Sequence, residues 1–117
     1  MSDDNIRKVD KPWGYEVIWA ETDRYLGKFL HISPHQRLSL QYHENKMETI
    51  YVMAGTLNLQ IGKDDSDITD CPPGSVIHID PEKIHRFAAK DSPVMLCEVS
   101  SPEIDDVVRL EDDYSRE

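Results

Sequence analysis

The sequence has 117 residues, with 13 Lys and Arg against 23 Asp and Glu, so its formal net charge is −10 at pH 7. This length suits one domain, and 38% hydrophobic with 31% charged residues is typical of a folded globular chain. The acidic balance argues against binding to nucleic acid or to a membrane of anionic lipid, while a few local cations are enough to hold one small anionic substrate.

Alternating apolar and polar residues predict short β-strands, and no long helical period is present. Turn residues separate the strands, among them Ser33-Pro34, Ala54-Gly55 and Pro72-Pro73-Gly74. In chain order, the eight predicted strands comprise residues 13–19, 26–32, 38–43, 48–54, 57–61, 76–79, 85–88 and 94–99. Regular short strands joined by turns predict an all-β fold, either a barrel or a double-sheet jelly roll, with one core.

We expect a single domain over residues 1–117, because the sequence shows no internal repeat and no linker. Residues 1–10 and 111–117 are expected to be tails that fray or form an interface. A small barrel leaves sheet edges that must be covered. We therefore expect a homodimer, with the aromatic strand 13–19 either in the dimer contact or folded back on its own sheet.

The cellular compartment follows from two features of the sequence. No apolar run approaches the roughly 20 residues that cross a bilayer, and the N-terminal residues lack the basic and apolar parts of a signal peptide. We expect a cytoplasmic protein in which Cys71 and Cys97 are reduced. These two cysteines have no metal-finger spacing and are interpreted as small, partly buried residues.

Four polar residues form a candidate metal site. Gln41 and His43 are two residues apart, so a strand directs both side chains to one face. Glu48 begins the next strand after a four-residue polar turn, and a hairpin places it opposite them. His85 begins a later strand. An amide, two imidazoles and a carboxylate suit one divalent ion, Zn, Mn, Fe, Co or Ni, with room for a substrate. The alternative is that all four are ordinary polar residues on exposed strand faces.

The spacing of these residues resembles the two cupin motifs. The first, G-x5-H-x-H-x(3,4)-E-x6-G, is matched through His43, Glu48 and Gly55, with Gln41 in place of the first His. The second, G-x5-P-x-G-x2-H, runs from Gly74 to His85, with Asp80 at the usual Pro and Glu82 at the Gly. The resemblance implies a cupin-type jelly-roll β-barrel.

One branch of the cupins is more similar than the others. The segments Lys11-Pro12-Trp13-Gly14, 37–43, His85-Arg86 and 108–116 resemble the C-terminal cupin domain of type II mannose-6-phosphate isomerases. That family often has His-His-His-Arg-Ser-Glu-His where this chain has residues 43–49, so the residues around the ligands have changed. The resemblance implies a metal-dependent aldose–ketose isomerase that interconverts mannose 6-phosphate and fructose 6-phosphate, with a sugar or sugar phosphate as its partner.

Three other functions stay open. The changed loop at 44–49 favours a non-catalytic sugar-binding or regulatory cupin that keeps the metal. A mononuclear iron dioxygenase is less favoured, because the amide of Gln41 is a poorer iron ligand than imidazole. A metal-free sugar epimerase is less favoured still, because the ligand set is intact.

The isomerase hypothesis requires a base and a group that holds phosphate. His78, on a strand flanking the site, is a candidate acid or base, with Glu82 and Lys83 as further candidates. Arg37 and Lys46 are the predicted substrate-binding residues, and Arg37 is preferred because its planar guanidinium pairs two phosphate oxygens. Lys83, Arg86 and Arg109 are further possible phosphate ligands. Arg86 alternates away from His85 and is assigned a structural or interface role.

Overall fold

The computed structural model describes residues 6–114, which form two antiparallel β-sheets and one short 3-10 turn, Asp65–Asp67. The strands in chain order are β1 (Arg7–Lys11), β2 (Gly14–Glu21), β3 (Leu26–Ile32), β4 (Leu40–Tyr42), β5 (Glu48–Ala54), β6 (Leu57–Ile61), β7 (Ile68–Cys71), β8 (Val76–Ile79), β9 (His85–Ala88), β10 (Val94–Ser100) and β11 (Val108–Glu111).

The strands divide into one six-stranded and one five-stranded sheet. The first has the order β1-β2-β3-β10-β5-β8, and the second has the order β11-β4-β9-β6-β7. Most neighbours are distant in the chain, as in a double-sheet jelly roll. The all-β prediction is therefore confirmed. Within residues 6–114 no helix is long and apolar enough to cross a bilayer.

The core lies between the two sheets and follows the alternation of the strands. In β10, Val94 and Leu96 are completely buried, while Val99 on the opposite face is half exposed. Phe87 of β9 contributes a large buried side chain from the facing sheet. The same inward positions also carry charged residues near one end of the barrel, where the candidate site lies: Glu16, Lys28, Glu48 and Glu98.

All eight predicted strands are present, and β1, β7 and β11 are additional. Residues 7–10, expected to belong to a tail, lie in β1, which pairs with β2 from Arg7 opposite Ile18 to Lys11 opposite Gly14. Residues 111–114 are also held, since Tyr114 Oη donates a hydrogen bond to Gln36 Oε1. Residues 1–5 and 115–117 lie outside the described part of the chain.

The aromatic strand β2 has one buried face and one more exposed face. In β2, Glu16 and Ile18 point inward, so Tyr15, Val17 and Trp19 lie on the outer face. Trp19 is 39% exposed and stacks on Phe29, with ring centroids 5.8 Å apart. This aromatic ring therefore folds back on its own sheet.

Turns at the glycine positions of the cupin motifs adopt left-handed backbone conformations. Gly55, the last residue of the first motif, has φ +75°, and a Cβ there would lie 2.2 Å from Pro93 O. Only glycine fits that approach. His35 (φ 65°) and Glu82 (φ 69°) also adopt positive φ, and both stand where the motifs have glycine. The chain therefore has a left-handed backbone at two motif positions that carry a side chain in place of glycine.

Candidate metal centre

Two imidazoles and one carboxylate converge at one end of the barrel. His43 follows β4 directly, Glu48 begins β5 and His85 begins β9. Their ligand atoms all lie within 4.8 Å of one another. Glu48 Oε1 is 3.5 Å from His85 Nε2, and Glu48 Oε2 is 3.7 Å from His43 Nε2. The side chains are 1–8% exposed, so the cluster is almost entirely removed from solvent.

The ring nitrogens that face away from the cluster contact backbone carbonyls. His43 Nδ1 lies 2.6 Å from Asp106 O, and His85 Nδ1 lies 2.8 Å from Lys83 O. A carbonyl only accepts, so each Nδ1 carries the proton and donates it. Each Nε2 therefore directs a lone pair at Glu48. Backbone carbonyls orient metal-binding histidines in the same way.

Burial lowers the pKa of His43 and the pKa of His85, which favours the neutral rings. His85 Nε2 is buried and has no hydrogen-bond partner among the described residues. Two neutral imidazole lone pairs and a carboxylate are all acceptors, so a cation between them satisfies all three. The donor set of two nitrogens and one oxygen fits a divalent ion such as Zn, Mn, Fe, Co or Ni.

Gln41 lies beside this cluster with its amide nitrogen toward it. Gln41 Nε2 donates to His43 Nε2 at 3.5 Å, while Ser39 Oγ donates to Gln41 Oε1 at 2.6 Å. A ligand role requires the amide to turn over and present Oε1. The hydroxyl of Ser39 both donates and accepts, so it supports either orientation. Gln41 is the residue opposite His85 in the β4–β9 pairing.

Buried ion pairs continue from the cluster across the cavity. Lys46 Nζ lies 3.3 Å from Glu48 Oε2 and 3.0 Å from Glu98 Oε2. Lys28 Nζ lies 3.1 Å from Glu16 Oε2 and 4.0 Å from Glu98 Oε2. Because an ionised group that lies away from water loses its hydration, each member depends on its partners for solvation.

The ionisation of this network follows from burial and from the neighbouring charges. Burial opposes the charge of Lys46, but Glu98 and Glu48 outweigh it and raise the pKa of Lys46 well above its usual range. Burial also opposes the charge of Glu98, but Lys28 and Lys46 outweigh it and lower the pKa of Glu98. Burial, together with the charge of Glu98, raises the pKa of Glu48.

The cluster opens into a cavity of about 250 Å³. Apolar walls come from Trp13, Leu30, Leu38 and Phe87, and polar walls come from both sheets. Residues that line it and that the sequence pattern did not single out include Glu16, Lys28 and Glu98. Their signal was a charged residue at an inward position of an otherwise apolar strand, as in Val94-Met95-Leu96-Cys97-Glu98.

Of the two predicted substrate-binding residues, Lys46 lines the cavity, as does Arg109, one of the further phosphate-ligand candidates. Arg37 does not line it. The Arg37 guanidinium instead donates to Asp113 at 2.6 and 3.0 Å on the surface. Strand β4 begins only at Leu40, so the alternation expected to place Arg37 on the face of Gln41 is interrupted. Arg86, as expected, is structural: it donates to the backbone oxygens of Leu38 and Glu111.

The three predicted acid–base residues are not brought to the cavity. Ile79 takes the inward position opposite Glu48, so His78 points outward, 3.0 Å from Thr49 Oγ1 and 2.9 Å from Asp80 Oδ1. Glu82 and Lys83 lie exposed in the turn before β9. The backbone of this turn, rather than its side chains, contacts the site, through Lys83 O.

The loop between His43 and Glu48 is held by a residue with no signal in the sequence pattern. The carboxylate of Asp106 accepts backbone hydrogen bonds from Glu44, Asn45 and Lys46 at 3.2, 2.7 and 2.9 Å. These bonds, from Asn45 above all, lower the pKa of Asp106. Since Asp106 O also accepts from His43, this one residue fixes both the loop and one imidazole.

The chain is similar in sequence to a known protein family and to several of its members. Residues 2–112 match the family model described as Mannose-6-phosphate isomerase C-terminal. The chain is 37% identical over 115 residues to the mannose-1-phosphate guanylyltransferase of Escherichia coli K12, covering 94% of this chain and 23% of that protein. It is 33% identical to the alginate biosynthesis protein AlgA of Pseudomonas aeruginosa, covering 96% and 24%. The chain spans about a quarter of the length of these relatives.

The fold is shared with solved structures of much lower identity. The RmlC-like cupin from Shewanella frigidimarina superposes with a TM-score of 0.73 at 13% identity, covering 91% of this chain and 92% of that one. With the sheet order above, this confirms the cupin fold. The chain belongs to the Mannose-6-phosphate isomerase C-terminal family.

Proposed function

We propose that the chain binds one divalent metal ion through His43, Glu48 and His85, with Gln41 as the fourth ligand after its amide turns over. The observation that supports this is the pair of buried imidazole lone pairs directed at a carboxylate, one of them without a hydrogen-bond partner. A bound ion of this kind supplies a Lewis acid that polarises the carbonyl and hydroxyl oxygens of a sugar.

We further propose that the protein is an aldose–ketose isomerase acting on a sugar phosphate, with mannose 6-phosphate and fructose 6-phosphate as the pair. The family description supports this reaction, and the cavity beside the acceptor cluster, lined by apolar and charged side chains, supplies the place for it. About three quarters of the length of the relatives named above lies outside the matched part, so their whole activities are not assigned to this protein.

The residues of the chain have separate roles in this proposal. Lys46 holds the carboxylate of Glu48 in place. Proton transfer between C1 and C2 requires a base within reach of the substrate. We place that base at one of the cavity carboxylates, Glu16 or Glu98, instead of at His78, Glu82 or Lys83. Glu16→Gln or Glu98→Gln that keeps the metal but loses turnover identifies it.

The proposal is tested by assaying metal-reconstituted protein on a panel of phosphorylated and free hexoses. Isomerisation of mannose 6-phosphate that depends on added metal is the expected result. Absence of turnover on every hexose phosphate by fully metallated protein overturns it. Tight sugar binding without turnover would favour the second function, a non-catalytic sugar-binding cupin, for which the altered loop 44–49 is the specific observation.

Two further properties stay proposals. We propose a homodimer in which two copies pack through the outer face of the six-stranded sheet, supported by four half-exposed apolar side chains there: Tyr51, Met53, Val76 and Val99. We propose a cytoplasmic location, in line with the free thiols of Cys71 and Cys97. Cell fractionation that finds the protein in a membrane or secreted fraction contradicts the second.

A further inference from the structure

We propose that Arg109 is the residue that binds the phosphate group of the sugar-phosphate substrate, at the mouth of the metal-centre cavity. This inference rests on the proposed function, because it takes the sugar to be bound at the cluster of His43, Glu48 and His85. It assigns the specificity for a phosphorylated sugar to one side chain of strand β11.

The position of Arg109 follows from strand pairing. Arg109 lies directly opposite Gln41 in the antiparallel β11–β4 ladder, and opposed residues direct their side chains to the same face of a sheet. Gln41 in turn lies beside His43. Arg109 therefore lines the same cavity as the cluster, but from the edge strand of its sheet, where the side chain is exposed to solvent.

The electrostatics single out Arg109 among the cations of the cavity. Lys28 and Lys46 are held between carboxylates, Lys11 Nζ lies 3.8 Å from Glu16 Oε1, and Arg7 pairs with Glu21. Within residues 6–114, by contrast, no carboxylate lies within 4.0 Å of the Arg109 guanidinium. Its charge is thus available to a ligand that enters the cavity.

The lining of the cavity is less negatively charged than the protein as a whole, so an anion can bind there. Its lining holds five basic and four acidic side chains, whereas the chain carries a net charge of −10. A divalent ion at the cluster adds two further positive charges. An arginine fork fits phosphate because two N–H groups meet two oxygens in one plane.

The test measures binding of mannose 6-phosphate, mannose, a hexuronate and inorganic phosphate to zinc-loaded and metal-free protein by titration calorimetry. The variant is Arg109→Gln, and the matched control is Arg37→Gln, which removes the same charge from a site outside the cavity. We expect Arg109→Gln to weaken mannose 6-phosphate binding about 10- to 100-fold, with mannose binding little changed. Arg37→Gln should leave both affinities at the wild-type value.

Several outcomes would contradict the assignment of Arg109 to the phosphate group. Equal losses for mannose and mannose 6-phosphate, equal losses in the two variants, or preference for the hexuronate over the phosphate overturn the assignment. If Arg109→Gln does not fold, Arg109→Lys keeps the charge but loses the fork, and an unchanged affinity in that variant overturns the fork contact. Arg109-dependent binding without turnover would refute the isomerase and leave the phosphate subsite standing. Turnover of mannose 6-phosphate with an unchanged KM in Arg109→Gln would support the isomerase and refute the phosphate subsite.

Discussion

The ammonium group of Lys46 lies 3.0 Å from Glu98 Oε2, and both side chains are at most 4% exposed. The same group also contacts Glu48, so one cation neutralises two buried carboxylates beside the candidate metal. Removing the ammonium group leaves two negatively charged carboxylates close together and shielded from water. Lys46→Met should therefore lower the free energy of unfolding by about 3–5 kcal/mol, the usual cost of breaking a buried ion pair from one side.

Urea denaturation measures this cost. Lys63→Met is the matched control, because Lys63 is exposed in the turn after β6, and we expect it to change stability by no more than about 0.5 kcal/mol. The double variant Lys46→Met/Glu98→Met should recover part of the loss, since it removes one of the stranded charges. A single variant as stable as the control would show that water already reaches this group.

The metal ligands are tested by a pair of histidine substitutions. His85 is 1% exposed in the cluster, whereas His78 is exposed on the outer face of β8. After reconstitution and dialysis, elemental analysis should find about one divalent ion per chain in the wild type and in His78→Ala. His85→Ala should lose most of the bound metal, because one coordinating side chain is missing and the remaining ligands bind the ion less tightly. Full occupancy in a His43→Ala/His85→Ala double variant would refute the assignment.

Glu82 is predicted to be a strained residue. It has φ 69° at a position where the cupin motif has glycine, and a side chain in this region costs roughly 1–2 kcal/mol. Glu82→Gly removes the strain but adds about 0.5–1 kcal/mol of unfolded-state entropy. We expect a net gain of about 0.5 kcal/mol in the free energy of unfolding, measured by urea denaturation.

The neighbouring Lys83 provides the control for this change. Lys83 is also exposed, but its φ is not positive, so Lys83→Gly should be destabilising by about 0.5–1 kcal/mol. The two substitutions should therefore move stability in opposite directions. A loss in both would mean that the side chain of Glu82 makes a stabilising contact larger than its backbone strain.

The fold was largely predictable because most strands carry their own apolar alternation. β10 buries Val94, Leu96 and Glu98 on one face, and its neighbour β5 does the same with Ile50 and Val52. β1 was not predictable in this way. Its sequence, Arg-Lys-Val-Asp-Lys, has four charged residues in five, so pairing with β2 forms the strand rather than any local preference.

The candidate site was partly predictable for a related reason. His43 and Glu48 flank one turn, so local geometry brings them together. The spacing of the cupin motifs predicted His85, from a third strand, as a further ligand. The buried partners of Lys46 were not predictable, because Glu98 reaches it from a strand about 50 residues away. Arg37 was misplaced because the chain between it and β4 does not continue the strand alternation.

The pair of Arg37 and Asp113 predicts a pH dependence of stability. Hydrogen bonds from Arg37 lower the pKa of the Asp113 carboxyl below its usual value of 3.8. The folded-state pKa thus lies below the unfolded one, so the pair stabilises the protein above pH 3.8 and this contribution is lost as the pH falls through the lower, folded-state value. For an exposed pair we expect about 0.5–1 kcal/mol.

Thermal unfolding of the wild type and Asp113→Asn measures it. The wild type should have the higher Tm at pH 7, and the difference should shrink as the pH is lowered toward 2. Asp23→Asn is the control, because Asp23 is exposed in the β2–β3 turn and makes no ion pair among residues 6–114. A Tm difference that persists unchanged at pH 2 would contradict an origin in the carboxylate charge.

The proposed dimer makes a prediction about the outer face of the six-stranded sheet. Tyr51, opposite Val76 in the β5–β8 pairing, is 49% exposed, and Val76 is 64% exposed. Val99 of the neighbouring strand is 50% exposed. Burying such side chains in a second copy gains about 25 cal/mol for each Å² of apolar surface removed from water. Light scattering should therefore give about twice the chain mass of 13.5 kDa.

Tyr51→Glu should return the protein to the monomer mass, because it places a charge on each side of the self-packed face. Tyr25→Glu is the matched control: Tyr25 is 55% exposed but lies before β3, outside the sheet face, so its dimer should persist. A wild-type monomer at micromolar concentration contradicts the dimer itself. A dimer that survives Tyr51→Glu contradicts only the face, and would point instead to pairing of an open sheet edge, where β1 exposes unpaired backbone groups.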